Sequence, residues 1–165
     1  MDLVGIVLAL AAQTLTPSTC APGMAVFYDE LHWYSVQSPA GWCFCSDGVF
    51  RPREPLPVAD QPEIRVSQFY LAELGEFEAA VQTDLKRVAG GGTATQRPSL
   101  RTGKGLSVVA WSVYQPTTGR CSLVAYLLQE QVCVVRMTVV ARSAASLAVA
   151  EDAFRELVTS YAANI

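Results

Sequence analysis

The sequence predicts an α+β fold, in which a mostly antiparallel sheet with a three-strand meander is flanked by two main helices. Three mainly apolar segments follow one another between residues 106 and 141, and only short turns separate them. Because a parallel crossover needs a dozen residues or more, these neighbours must be antiparallel. Helical periodicity occurs only before and after this meander, at residues 75–89 and 143–162. Strands and helices therefore do not alternate, which excludes a doubly wound parallel sheet.

The segment before the first helix predicts strands joined by loops. Residues 24–36 are apolar and aromatic, which is typical of a strand, and residues 42–45 form a short extended piece. Residues 51–62 contain four prolines. Since proline lacks an N–H donor, this composition predicts an extended surface loop that stays outside the sheet. Residues 64–71 predict the next strand.

The second half of the chain predicts both helices and the meander. An apolar stripe predicts a helix over residues 75–89, and the glycines at 90–92 end it, because glycine adopts the left-handed C-cap conformation at little cost. Residues 93–101 predict a polar edge strand that a proline interrupts. Ser143 can cap a second helix that ends near residue 162. The strands of the meander are predicted at residues 106–114, 120–128 and 131–141.

The N-terminal segment has the pattern of a secretory signal. Residues 1–22 are predicted to be a signal or N-terminal segment with a linker, and residues 23–165 a single domain. An apolar run at residues 3–12 offers small residues for cleavage near Ala12. Asp2 stands where a signal usually carries a basic residue, so a short buried helix remains the alternative. Ten apolar residues are too few to span a bilayer. We expect an exported protein, periplasmic or extracellular, with a cytoplasmic location as the alternative.

Composition excludes several classes of function. The chain has 165 residues, with 12 basic and 15 acidic side chains and a net charge of −3. No block of basic residues is present, which argues against nucleic acid as a partner. The one histidine and the lack of a nucleophile motif favour a protein that is not an enzyme and needs no cofactor.

The five cysteines leave disulfides and a metal site open. Cys43 and Cys45 share one face of a predicted strand, and with His32 they are weak candidates for a metal site, because structural zinc sites prefer wider cysteine spacing. A turn at residues 129–130 would place Cys133 opposite Tyr126 and Cys121 opposite Thr138. These two cysteines are then too far apart for a disulfide.

Four pieces of the sequence carry a resemblance to a known family. They are the strand and turn at residues 35–42 with its Pro and Gly-Trp, the segments 64–67 and 77–81, and the closing helix at 153–161. In this order they resemble the PsbP/Mog/DcrB-like group of small α/β sandwich proteins. That group includes photosystem-associated lumen proteins, mycobacterial lipoproteins and Eag-type chaperones of type VI secretion. The resemblance implies an interaction module without catalytic activity.

The leading hypothesis is a non-enzymatic, exported bacterial protein that binds another protein. Arg136, a charged residue in an apolar strand, must be exposed or paired, is expected near Leu123, and is a further candidate for binding the partner. The alternatives are a cytoplasmic Eag-type chaperone that holds an apolar helix of a secretion effector, and a carrier of a small ligand or metal. Some of the aromatic side chains must fill the core, as Trp111 is predicted to do. The candidate aromatic anchors for a partner are Trp33, Tyr34, Trp42, Trp111, Tyr114 and Tyr126.

Overall fold

An eight-stranded antiparallel sheet is the centre of the protein, seen in a computed structural model that describes residues 20–21, 23–28, 33–45, 49–71 and 76–163. The elements are β1 (Cys20–Ala21), β2 (Met24–Tyr28), β3 (Trp33–Gln37), β4 (Trp42–Cys45), β5 (Val49–Pro52), β6 (Glu63–Tyr70), α1 (Phe77–Ala89), β7 (Thr93–Arg101), β8 (Ser107–Gln115), β9 (Arg120–Gln129), β10 (Cys133–Ala141), α2 (Ala144–Ser160) and β11 (Ala162–Ala163). The large sheet has the order β1-β4-β5-β6-β10-β9-β8-β7, and a small sheet has the order β11-β3-β2.

The predicted α+β class and the meander are confirmed. Strands β8, β9 and β10 are consecutive neighbours in the sheet, and each pair is antiparallel. The predicted turn between β9 and β10 is displaced: β9 continues through Gln129, so Cys133 faces Gln129 and Cys121 faces Ala141. The two cysteines still lie at opposite ends of the hairpin, and both carry thiols.

Each face of the large sheet is packed against a different layer. On one face, α2 and the small sheet cover a core that includes Ile64, Met137, Val139 and Phe154. On the other face, α1 places its apolar stripe over Trp111, Tyr126 and Val134. The prediction that Trp111 is buried is confirmed, because 9% of its surface is exposed. Strand β8 is thus covered on both sides, as its two apolar faces predict.

The chain before β4 differs from its prediction in two places. Residues 24–36 do not form one strand, since β2 and β3 pair antiparallel with Met24 opposite Gln37. Two consecutive carboxylates at positions 29 and 30 interrupt the apolar pattern in the sequence. The large sheet also begins at Cys20, three residues before the predicted boundary. The predicted signal or helix at residues 1–19 lies outside the described residues.

The proline-rich segment is held more firmly than its composition predicts. Arg51 and Pro52 belong to β5, where Pro52 ends the strand opposite Trp42. Beyond it, the Asp60 carboxylate accepts hydrogen bonds from the Arg142 N–H and from the Ser143 hydroxyl. The end of the segment is therefore tied to the start of α2, and its first two residues extend β5, so only the residues between them form the surface loop that the prolines predict.

The ends of both helices follow the predicted signals. The Ser143 hydroxyl accepts a hydrogen bond of 3.1 Å from the Ser146 N–H and caps α2. Gly90 ends α1 in the left-handed conformation. Two residues later a Cβ on Gly92 would clash with the Tyr114 carbonyl oxygen, so only glycine fits there. In the part of the chain that is described, neither helix has the length and apolar character to cross a membrane.

Phe154 should be the main anchor of α2 on the sheet. Phe154→Ala removes a nearly fully buried ring and should lower the free energy of unfolding by about 3–5 kcal/mol. Asp152→Ala, an exposed position on the same helix, should change it by less than about 0.5 kcal/mol. Urea unfolding measures both, and equal effects would contradict the packing described here.

Candidate functional site

Helix α1 leaves part of its own sheet face uncovered. Beside the C-terminal end of α1 lies a cleft of about 300 Å³, which we call the arginine cleft. Its floor belongs to β6, β9 and β10, and α1 forms one wall. The polar residues that line it are Arg65, Ser67, Arg87, Gln115, Arg120, Ser122, Arg136 and Thr138.

The alternation of β10 brings polar side chains to the cleft floor. Val135, Met137 and Val139 are buried on the α2 side, whereas Arg136 and Thr138 point to the opposite face and are partly exposed. Residues that pair directly across an antiparallel ladder point to the same face. Ser67 on β6 faces Arg136, and Arg65 faces Thr138. The register alone therefore assembles a polar patch within an otherwise apolar sheet.

A buried carboxylate on α1 fixes the position of Arg136. Nη1 of Arg136 donates to both carboxylate oxygens of Asp84, at 2.7 and 2.9 Å. Arg87 donates to Oδ1 of Asp84 at 2.6 Å, and the Tyr126 hydroxyl donates to Oδ2 at 2.8 Å. Nε of Arg136 donates to the Ser67 hydroxyl at 3.1 Å. Among the described residues, Nη2 of Arg136 has no hydrogen-bond partner.

Asp84 and Tyr126 keep the same protonation states around neutral pH. Burial raises the pKa of Asp84. The hydrogen bonds from Arg136 and Arg87 lower it by more than burial raises it, so the pKa lies below its ordinary value of 3.8. Burial and the hydrogen bond to Asp84 raise the pKa of Tyr126. The carboxylate is therefore ionised and the tyrosine remains a hydrogen-bond donor.

The cleft carries an excess of positive charge. Four arginines line it, and among the described residues the carboxylates that pair with them are Asp84 and Glu63, the latter held by Nε of Arg65 at 2.7 Å. In the described part of the cleft the arginines therefore outnumber the carboxylates that pair with them, in a chain whose net charge is −3. Within the described chain Arg120 makes no ion pair. This arrangement can bind an anion.

Three of the predicted aromatic anchors are corrected by their burial. Tyr34, Trp42 and Tyr126 have at most 4% of their surface exposed and fill the core, because their strand positions point to a covered face. Tyr114, by contrast, is 49% exposed near the end of β8. The side chain of Trp33 lies outside the described residues.

Arg136 is paired, as its charge requires, but its neighbour differs from the prediction. It lies opposite Tyr126 and not beside Leu123, because β9 runs further than predicted. The sequence did not lead us to predict Asp84 as a functional residue. The pattern that could have indicated it is a lone carboxylate between the apolar helix positions Val81 and Leu85, three residues before Arg87.

Cys43 and Cys45, the predicted candidates for a metal site, belong to no cluster of metal ligands among the described residues. Cys43 is buried, and burial raises the pKa of its thiol, which disfavours the thiolate that a metal needs. Cys45 lies opposite Cys20 in the sheet. His32 lies outside the described residues. In the part of the chain that can be inspected, no three His, Cys, Asp or Glu side chains come together as metal ligands.

No protein-family model matches the chain, and no curated protein is significantly similar to it.

The pair formed by Asp84 and Arg136 should stabilise the fold in a pH-dependent way. Asp84→Asn leaves Arg136 without its counter-charge and should lower the free energy of unfolding at neutral pH by about 3 kcal/mol. Because the folded-state pKa of Asp84 is lowered, its contribution is present above the unfolded pKa of about 3.9 and is lost as pH falls through the folded value.

The difference between the parent protein and Asp84→Asn should therefore narrow below about pH 4. Urea unfolding over a pH series measures this difference, with Glu78→Gln on the exposed side of α1 as the control. Equal losses in both variants at neutral pH would contradict a stabilising ion pair.

Proposed function

We propose that the chain is a non-enzymatic protein-binding module of the PsbP/Mog/DcrB-like type, and that it docks an acidic segment of another protein in the arginine cleft. The observation that carries the proposal is the group of four arginines that, among the described residues, outnumber their paired carboxylates on one sheet face of an acidic chain. Opposite charge on a partner favours encounter and fixes its orientation.

The cleft is preorganised for such a ligand. Arg136 is held at two of its nitrogen atoms by Asp84 and Ser67, so little side-chain entropy is lost when its remaining nitrogen binds an acidic group. Arg65 and Arg120 project from β6 and β9 on either side of β10. A guanidinium group also matches the geometry of a carboxylate better than an ammonium group does.

An apolar helix, the ligand of an Eag-type chaperone, fits this surface less well. The cleft floor contains Ser67, Ser122 and Thr138 beside the arginines. An apolar ligand would remove water from these donors without replacing its hydrogen bonds, and each such loss costs roughly 1–3 kcal/mol.

The chemistry of the cleft also supports binding rather than turnover. The carboxylate of Asp84 is held ionised by three hydrogen-bond donors, which lower its pKa. General acid–base catalysis needs a group that exchanges protons near the working pH.

An acidic peptide should bind in a salt-dependent manner. Fluorescence anisotropy with a labelled glutamate-rich peptide at low ionic strength should detect binding that weakens as salt is added. Arg120→Glu reverses one cleft charge and should weaken binding by about tenfold or more.

The matched control is Arg101→Glu, an exposed arginine at the far end of β7 that donates to the Gly105 carbonyl. It should change the affinity by less than about twofold. Equal losses in both variants would place the binding outside the cleft and overturn the proposal.

We further propose that the protein is exported and that a disulfide joins Cys20 to Cys45. The two residues pair directly across β1 and β4, and such opposed positions bring Cβ atoms within the range of a disulfide. Cys43, Cys121 and Cys133 carry thiols, which leaves Cys20 and Cys45 as the pair among five cysteines. Disulfides of this kind persist in oxidising compartments.

Thiol titration of unfolded protein purified from its native compartment tests this proposal. Three thiols are expected, together with a crosslinked peptide pair that contains Cys20 and Cys45 in non-reducing mass spectrometry. Five thiols and an uncleaved Met1 would instead support the cytoplasmic alternative.

A further inference from the structure

We propose that the segment docked in the arginine cleft is extended and carries two acidic side chains four residues apart, one beside Arg65 and Arg136 and one beside Arg120. This inference rests on the proposed function and specifies the conformation of the ligand and the spacing of its charges. It follows from the positions of the arginines in the strand ladder and from the hydroxyl groups that lie between them.

Guanidinium groups that can bind a ligand stand at two separate places in the cleft. At one end, Arg65 on β6 uses Nε and Nη2 for Glu63, which leaves Nη1. Arg136 lies one strand and one row away, and its Nη2 is directed to no other described group. At the other end, Arg120 on β9 is exposed and makes no ion pair with any described residue.

The strand register sets the distance between these two places. Arg65 lies opposite Thr138 on this face of the sheet, and Ser122 belongs to the next row. Arg120 is two residues before Ser122 on β9 and belongs to the row after that. A strand rises about 3.3 Å per residue and neighbouring strands lie about 5 Å apart, so Arg65 and Arg120 are separated by about 13 Å along the strands and about 10 Å across them. Two acidic groups match this placement better than one.

An extended peptide reproduces the separation along the strands. Its residues also rise about 3.3 Å each, so side chains four residues apart point to the same side and lie about 13 Å apart. In a helix the same two side chains are only about 5–6 Å apart. A segment that lies along the strands can therefore place one acidic group at each end of the cleft, and the long arginine side chains span the offset across the strands.

Hydroxyl groups on the cleft floor have the same repeat as an extended peptide. Ser67, Thr138 and Ser122 occupy three successive rows of this face. Among the described residues, no group accepts a hydrogen bond from these three hydroxyls. An extended peptide directs a polar group to one side at every second residue, which matches one hydroxyl per row. A helix uses its backbone carbonyls internally and offers fewer acceptors to these hydroxyls.

Three labelled peptides, each with two glutamates among serines and alanines, test this inference with the full-length protein. In the first peptide the glutamates are four residues apart, and in the second they are adjacent. The third has the spacing of the first and is locked in a helix by a hydrocarbon crosslink. Fluorescence anisotropy should show that the first peptide binds at least about fivefold tighter than the other two, because only this peptide can engage both ends of the cleft at once.

Arginine variants identify which end of the cleft each glutamate contacts. In Arg120→Gln the first peptide should lose about fivefold or more in affinity, and replacing one of its glutamates by glutamine should then change the affinity by less than about twofold. In Arg65→Gln the other glutamate should become dispensable in the same way. Arg101→Gln, at the exposed control position on β7, should leave both glutamates necessary. Thermal unfolding checks that the variants are folded.

The outcomes distinguish this inference from the proposed function. Equal affinity for the three peptides, or loss of the same glutamate's contribution in both cleft variants, would overturn the inference on spacing and leave acidic docking intact. The same holds if none of the three binds while the glutamate-rich peptide does. Absence of binding by all four peptides would overturn both proposals.

Discussion

The ion pair between Asp84 and Arg136 is the interaction on which the candidate site depends. It joins α1 to β10, and Arg136 itself lines the arginine cleft. Without Asp84, Arg136 would be a partly buried charge in a strand whose other face is entirely apolar. Burying an unpaired charge is costly, so the carboxylate explains how an arginine is retained there and why it holds one conformation. The helix therefore both covers the sheet and orients the binding group.

The cleft exists because α1 is too short and too far to one side to cover its sheet face. Its 13 residues extend about 20 Å and lie over β8, β9 and the start of β10. Gly90 ends the helix, and the close approach of Gly92 to the Tyr114 carbonyl commits the chain to the edge strand β7. Beside the end of the helix, the residues of β6 and β10 that line the arginine cleft include Arg65, Ser67 and Thr138, whose hydroxyl and guanidinium groups are partly exposed there.

Periodicity and glycine position were sufficient to predict the class, the meander and both helices, because these signals are local. The parts that were missed depend on tertiary context. The turn after Gln129 uses Glu130 and Gln131 with positive φ, where glycine or asparagine is the usual signal, so the register of β10 was displaced. Aromatic residues such as Tyr34, Trp42 and Tyr126 are also typical of contact surfaces. These three belong to the core because other layers of the fold cover them, which the sequence alone does not reveal. The arginine cleft combines residues from five elements, β6, α1, β8, β9 and β10, and only Arg136 stood out in the sequence as a charge in an apolar strand.

The sign of the charge in the cleft gives the strongest physical argument for recognition. At physiological salt, charges are largely screened beyond about 8 Å, so the net charge of −3 acts only weakly on a distant partner. Within that distance the arginines of the cleft attract an acidic group that approaches this face. The local charge therefore selects the orientation of the partner as well as its charge. A surface with scattered positive charges would attract acidic partners in many orientations. Concentrating the charge beside hydroxyl groups, on a sheet whose opposite face is packed against α2, favours a ligand that fills the cleft.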